Sequence, residues 1–462
     1  MTRFGTLSDP PSALLITSAR VLDPVAESDA VRDLAIAGGR FVEPADLPGE
    51  AARVDGSGLL AIPALCDLHA HLRDPGGEAA ETLESGSQAA AHGGYASVCA
   101  MPNTEPALDD AARVRDVLAR AAATSCRVRV IAAATRGRGG EQPAELGELA
   151  EAGAVGFSDD GAAVASSRTA RAIMAYMAPL GLPLIEHAED AELAAGSAMR
   201  AGAIATRLGL GGWPASAELA IVERDIALAE ETGAWVHFTH LSTAASVEAV
   251  RRAKARGLRV TCDVTPHHLA MTDAWVAGHR AFAWEEPGGL AAEPHGGALD
   301  EQLAYDGSCR VNPPLPTRDD ALALLAGVVD GTVDAIATDH APHPPERKAV
   351  EFAVAAPGMI GLETALSVGL TAVAAGCLGL AELVAALSTR PAALIGETRG
   401  LQPGAVADLA LVDPMARWRV DPTTLASRSR NTPLLGRELP GVVRLTLAGG
   451  RLTYVDNLPP LS

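Results

Sequence analysis

In the stretch DLHAHLRDPG, residues 67–76, His69 and His71 stand two apart, and Arg73 repeats the spacing. Side chains of an extended segment alternate between faces, so imidazoles at i and i+2 share one side, as two ligands of one metal ion must. Further donors follow short apolar runs: Asp159 and Asp160 after AVGF, His187 after LPLIE, His240 after WVHFT, and Asp339 after VDAIAT. Singly these are ordinary. SDDG reads as a turn or a helix cap, and a lone histidine at a strand end as a hydrogen-bonded structural residue. Together, four histidines and two aspartates at five strand ends form a nitrogen–oxygen set suited to Zn²⁺ or a similar divalent ion. One or two ions would fit, with a position open for water. His237 alternates to the face opposite His240 and reads as packed. His92 lies in a helical run, and His340, beside Asp339, is expected to point away from the rim. One of His267 and His268 could support the ligands from behind.

Such donors converge only if the strand ends share a rim. Apolar pieces such as YASVCAM, VRVIAAAT, AVGFSDD, PLIEHAE and RVTCDVTPHH recur, and Ala-rich segments of helical period lie between them. Alternation this frequent predicts an α/β chain with a parallel sheet, and the number of repeats favours a TIM-like (β/α)8 barrel. In that barrel the C-terminal strand ends all face one mouth. The absence of a GxGxxG after the first strand weighs against a dinucleotide fold. Both chain ends read as short strands, each too small for a core, and predict a small β-sandwich built jointly. The expected division is 1–62, a barrel over 63–398, and 399–462. Residues 277–302, rich in Gly, Pro and acids, read as a surface insertion, with His279 and His295 solvated.

The chain has 462 residues, with 37 Lys plus Arg against 57 Asp plus Glu, a formal charge of −20. That surface repels nucleic acid and anionic membranes, and aromatics at 3% give no base-stacking platform. An anionic substrate would need local positive charge from a metal or from placed arginines. Six scattered cysteines without a CxxC pair read as reduced thiols of a cytoplasmic protein, and no signal peptide or membrane span is expected.

DLHAHLRDPG, AMPNT, GFSDDG, VTPHHL, RVNPPL and ATDHAPH, in this order, resemble the class I dihydroorotases of the metal-dependent amidohydrolase superfamily. The resemblance runs from about residue 13 to the C-terminus, apart from 277–302. It implies reversible cyclisation of N-carbamoyl-L-aspartate to L-dihydroorotate with release of water, in de novo pyrimidine biosynthesis. It implies His69, His71, Asp160, His187, His240 and Asp339 as metal ligands, with Asp160 chosen over Asp159 by its distance to His187. Asp339 is implied as the proton carrier. Substrate contacts are implied for His71, Arg73, Asn103, Asn312, His343 and the Pro357–Gly358 backbone. Related enzymes use a carboxylated lysine as the bridging ligand; an aspartate stands there in this class, and AVGFSDDG holds no lysine.

Two departures are visible: Ala64 replaces a usual glycine, and Pro357 a frequent aromatic. The expected partners are the small-molecule substrate, a second copy of the chain in a homo-oligomer, and optionally aspartate transcarbamoylase. The competing readings are another cyclic amidase, such as a dihydropyrimidinase or allantoinase, and a non-catalytic partner of aspartate transcarbamoylase. The Arg73 position and the aspartate in place of lysine weigh against the first. The retained ligand set weighs against the second.

Overall fold

The computed structural model describes residues 3–285 and 302–456. Eight parallel strands form its centre: β1 (Leu65–Ala70), β2 (Tyr95–Ala100), β3 (Arg127–Ala133), β4 (Ala154–Ser158), β5 (Leu184–Glu186), β6 (Val236–Phe238), β7 (Val260–Val264) and β8 (Ala335–Ile336). They pair in chain order. The ring closes just past β8, where Ala70 bridges His340 in parallel and His71 N–H donates to the His340 carbonyl at 2.8 Å. Leu68, Cys99, Met101, Ile131, Ile185, Ala335 and Ala337 fill the interior, so the barrel is packed rather than hollow.

Helices cover the outside, and local sequence sets their ends. Thr82, Asp110, Ser166, Thr243 and Thr317 each cap the first turn of a helix with a side-chain oxygen. Gly233 and Gly331 end the helices Ala215–Thr232 and Arg318–Asp330 in the left-handed region. Many of the buried contacts between helices and strands are alanines, whose small side chains let the two layers approach closely.

The chain ends meet in a nine-stranded sheet. Leu60–Pro63 pairs antiparallel with Leu409–Arg419, and this seam joins the N-terminal strands to the C-terminal ones. Leu14, Ile16, Leu34 and Phe41 from one end pack with Leu409, Leu411, Leu445 and Leu447 from the other. Neither end could bury these residues alone, which is why two distant segments make one layer.

Of the stretch read as a surface insertion, 286–301, including His295, lies outside the described residues. Its entry differs from a solvated loop. Phe282 and Ala283 are buried, Phe282 stacks on Trp275, and His279 is half-buried. All six cysteines are unpaired, five of them buried.

Candidate metal and substrate site

Every metal-ligand candidate lies at or just past a C-terminal strand end. His69 and His71 end β1, Asp160 follows β4, His187 follows β5, His240 follows β6 and Asp339 follows β8. All six are buried. The donors form two groups that share one residue: His69, His71 and Asp160, and Asp160, His187 and His240. Asp339 joins through His71, its Oδ1 lying 3.0 Å from His71 Nε2 and 3.5 Å from His69 Nε2.

The spacing around Asp160 tests whether an ion fits. Its Oδ1 lies 3.4 Å from His69 Nε2 and 3.6 Å from both His187 Nδ1 and His240 Nε2. These gaps are long for a hydrogen bond. The oxygen is buried and has no hydrogen-bond partner, a costly state unless something sits among the donors. Donors about 2.0–2.1 Å from a tetrahedral ion stand about 3.3 Å apart, close to what is seen here. The residues therefore fit a divalent ion, and Asp160 is the donor that both groups share.

A layer beneath sets the imidazole tautomers. Thr239 Oγ1 gives its proton to Asp263 at 3.1 Å and so accepts from His69 Nδ1 at 2.7 Å, which leaves His69 Nε2 free to ligate. Asn103 Oδ1 accepts from His71 Nδ1 at 2.8 Å, and its amide donates to Asp160 Oδ2 at 3.3 Å. Asp263 also takes the His240 N–H at 2.7 Å and His237 Nε2 at 2.8 Å. His237 is thus held by a carboxylate, as well as packed. Asp67 accepts from the Thr338 N–H at 2.8 Å and the His69 N–H at 3.3 Å; burial outweighs these bonds and pushes its carboxyl up to about 6.

Asp159 turns away from the donors. Its carboxylate takes the N–H and the hydroxyl of Thr135, so it fixes the end of β3. Of the pair after β7, His268 is spent on Thr265 and the Pro313 carbonyl. His267 is buried with its Nε2 unpartnered, near enough to feel the Asp339 charge. His340 is turned from the donors, as expected, and bonds Glu81 at 3.2 Å. His92 bonds Glu363 at 2.5 Å, away from this cluster.

Arg73 stands beside the cluster, with its Nε 3.3 Å from the Pro342 carbonyl. Burial lowers its guanidinium to about 10, and Asp339 and Asp160 hold it from falling further. It stays charged at neutral pH. Asn312 reaches His187 Nε2 at 3.4 Å, and His343 Nε2 meets the Pro357 carbonyl at 2.8 Å. Pro357 has no N–H, and that of Gly358 is spent on the Arg310 carbonyl at 2.8 Å. This pair therefore presents a fixed wall rather than free donors. Gly358 has φ +133°, and a Cβ there would lie 2.6 Å from the Ala341 Cβ, so only glycine fits.

Three site residues, Arg73 (φ 57°), His240 (φ 41°) and Asp339 (φ 45°), occupy the left-handed region although none is glycine. Each such backbone costs on the order of 1–3 kcal/mol, offset by the surrounding packing, and strain of this kind clusters at functional sites. Sequence reasoning also misses Asn431. Its amide donates to the Ala341 and Gly358 carbonyls at 2.9 and 3.1 Å, and its Oδ1 accepts the His343 N–H at 3.0 Å. Its partners lie 73 to 90 residues away, and only the turn-like SRNTPL marks the spot.

A family model described as Dihydro-orotase-like matches residues 58–246. A dihydroorotase from Pelotomaculum thermopropionicum is 44% identical over 449 residues, covering 96% of this chain and 99% of the relative. A dihydroorotase from Anaeromyxobacter dehalogenans is 46% identical over 448 residues, covering 96% and 98%. In three dimensions the chain is similar to an L-hydantoinase (dihydropyrimidinase) from Arthrobacter aurescens, with TM-score 0.80 at 22% identity and 96% of each chain covered. It is also similar to a dihydropyrimidinase from Brevibacillus agri, with TM-score 0.76 at 20% identity, covering 96% and 95%. The hydantoinase likeness carries the barrel-and-sandwich fold alone. Near-full-length identity joins the shared fold and the histidine–aspartate cluster at the barrel mouth: the chain belongs to the dihydroorotase family.

Proposed function

We propose that this protein interconverts N-carbamoyl-L-aspartate and L-dihydroorotate, releasing water on ring closure, in de novo pyrimidine biosynthesis. The observation that carries the reading is Arg73. It is a half-buried cation set two residues beyond His71, at the edge of a donor cluster that fits a metal cation. A substrate whose reacting carbonyl is accompanied by a carboxylate accounts for both halves.

In this reading His69, His71, Asp160, His187, His240 and Asp339 hold Zn²⁺, one or two ions per chain. Held there, the metal would supply a water of lowered pKa, about 7 against 15.7 in bulk, and would polarise the ring carbonyl. The chain's residues do the rest. Arg73 grips the substrate carboxylate with its planar fork. Asn103, Asn312 and His343 fix its orientation, with His71 and the Pro357–Gly358 wall on either side. Asp339 takes the proton of the attacking water and passes it to the ring nitrogen as the amide bond breaks. In ring closure it removes that nitrogen's proton. Burial would raise the Asp339 carboxyl, but His71 and His69 beside it more than offset that and hold it below the usual range, so it starts ionised.

The test is loss of dihydroorotate absorbance by the purified, metal-loaded protein, compared with dihydrouracil and allantoin. Turnover of dihydroorotate alone is expected. Preference for either comparator, or no turnover with metal bound, overturns the reading. Elemental analysis of the same sample tests zinc.

We further divide the chain at 62/63 and 398/399. The small-molecule partner is the substrate itself. A homo-oligomer, and association with aspartate transcarbamoylase, belong to the same proposal and are read by sizing the protein alone and mixed. A reducing, cytoplasmic setting agrees with six unpaired thiols. No helix among the described residues is long and apolar enough to cross a membrane.

A further inference from the structure

Lys348 lies outside the donor cluster, at the end of the short helix Pro345–Lys348. The residue is 8% exposed. Its ammonium donates to three backbone carbonyls: Ala356 at 2.7 Å, Gly358 at 2.8 Å and Arg310 at 3.2 Å. These match the three donors of an ammonium. Carbonyl dipoles, rather than a carboxylate, hold the charge. Burial exceeds the help from Asp306 and brings the ammonium down to about 7.

Two segments converge on this one nitrogen. Arg310 leads directly into Val311 and Asn312, while Ala356 and Gly358 flank Pro357. The Pro357 carbonyl in turn receives His343 Nε2. Arg310, Asn312 and Pro357 wall a common cavity of about 190 Å³. The metal-ligand candidates hang instead from β1, β4, β5, β6 and β8 and are braced by Asp67 and Asp263, none of which meets Lys348.

We propose that Lys348 is a positioning residue for the carboxylate-holding side of the site, fixing Asn312 and the His343–Pro357 pair relative to Arg73 without touching substrate. The proposal rests on the dihydroorotase reading above. Losing the ammonium leaves the Ala356 carbonyl without its donor and leaves the Gly358 N–H bond to the Arg310 carbonyl as the remaining hydrogen bond between the two segments, so their relative placement loosens. Substrate binding then suffers, while ion retention and proton transfer do not.

The test is Lys348→Met in the full, metal-loaded chain. KM for dihydroorotate is expected to rise at least about tenfold with kcat within about threefold and metal content unchanged, the split that marks lost binding rather than lost chemistry. Lys348→Arg, which keeps the charge and donors, is expected to recover part of the KM. Amide hydrogen exchange without substrate is expected to quicken at 310–312 and 356–360 in the Met variant and to stay unchanged in β4 to β6. Unchanged KM and exchange overturn the proposal, as do parallel losses of kcat and metal. If the Met variant does not fold, Lys348→Gln, which keeps fewer donors and no charge, decides: KM raised with kcat held supports positioning, and unchanged KM overturns it. A wild type inert toward dihydroorotate overturns the functional reading alone, and the exchange measurement still decides the role of Lys348.

Discussion

His71 Nε2 and Asp339 Oδ1 lie 3.0 Å apart across 268 residues of chain. One belongs to the first barrel strand and the other follows the last, so the contact exists only in the closed ring. The closed ring thereby brings the Asp339 carboxylate in among the other donors. Asp339→Asn keeps the shape and removes the base. Turnover is expected to fall about 10²–10⁴-fold in both directions, as for loss of a general base, measured by dihydroorotate hydrolysis and carbamoyl-aspartate cyclisation. Near-normal rates either way would remove it as proton carrier.

Asp160 and Asp159 are neighbours with different tasks. Asp160→Ala is expected to lower metal content in elemental analysis. Asp159→Ala is expected to keep the metal and to lower stability by about 1–3 kcal/mol, because Thr135 loses its buried acceptor. The reverse pattern would exchange their roles.

Arg73→Lys replaces a planar fork with a point charge. KM is expected to rise about tenfold or more, as when a bidentate carboxylate contact is lost, at unchanged metal content. Equal losses of metal and activity would tie Arg73 to the ion instead.

Burial, with Arg73 beside it, lowers the His343 imidazole to about 3. The folded protein therefore refuses a proton that the unfolded chain accepts near its ordinary value of about 6.5. The stability this group contributes is complete above about 6.5 and is lost as pH falls from there toward 3. NMR of the ring nitrogens is expected to find His343 neutral at pH 5; titration near 6.5 would contradict its half-buried placement beside Arg73.

Asn431 holds His343 and Gly358 from the far end of the chain. Asn431→Ala is expected to raise KM more than it lowers kcat, and to cost about 1–3 kcal/mol through the Ala341 carbonyl and the His343 N–H left unpaired. Thermal melts and steady-state kinetics on one preparation check both.

The ligand candidates were legible in the sequence because strand ends are local. An apolar run and the polar residue that stops it lie side by side, so His187, His240 and Asp339 announce their level in the barrel. The neighbours Asp159 and Asp160 are not separable that way, since the Thr135 that claims Asp159 ends a different strand. Lys348 and Asn431 were invisible because their partners are mostly backbone groups, which no residue type encodes. The left-handed backbones of Arg73, His240 and Asp339 are likewise unmarked by residue type. The two β-rich ends were legible as one layer from their shortness. The antiparallel seam between Leu60–Pro63 and Leu409–Arg419 was not.

Closure by Ala70 and His340 also sets an order of assembly on the ribosome. Asp160, His187 and His240 come from three consecutive strands and can meet once residue 240 has emerged. His69 and His71 must wait for a curled sheet, and their contact with Asp339 for the last strand. Pairing this distant is slow to form.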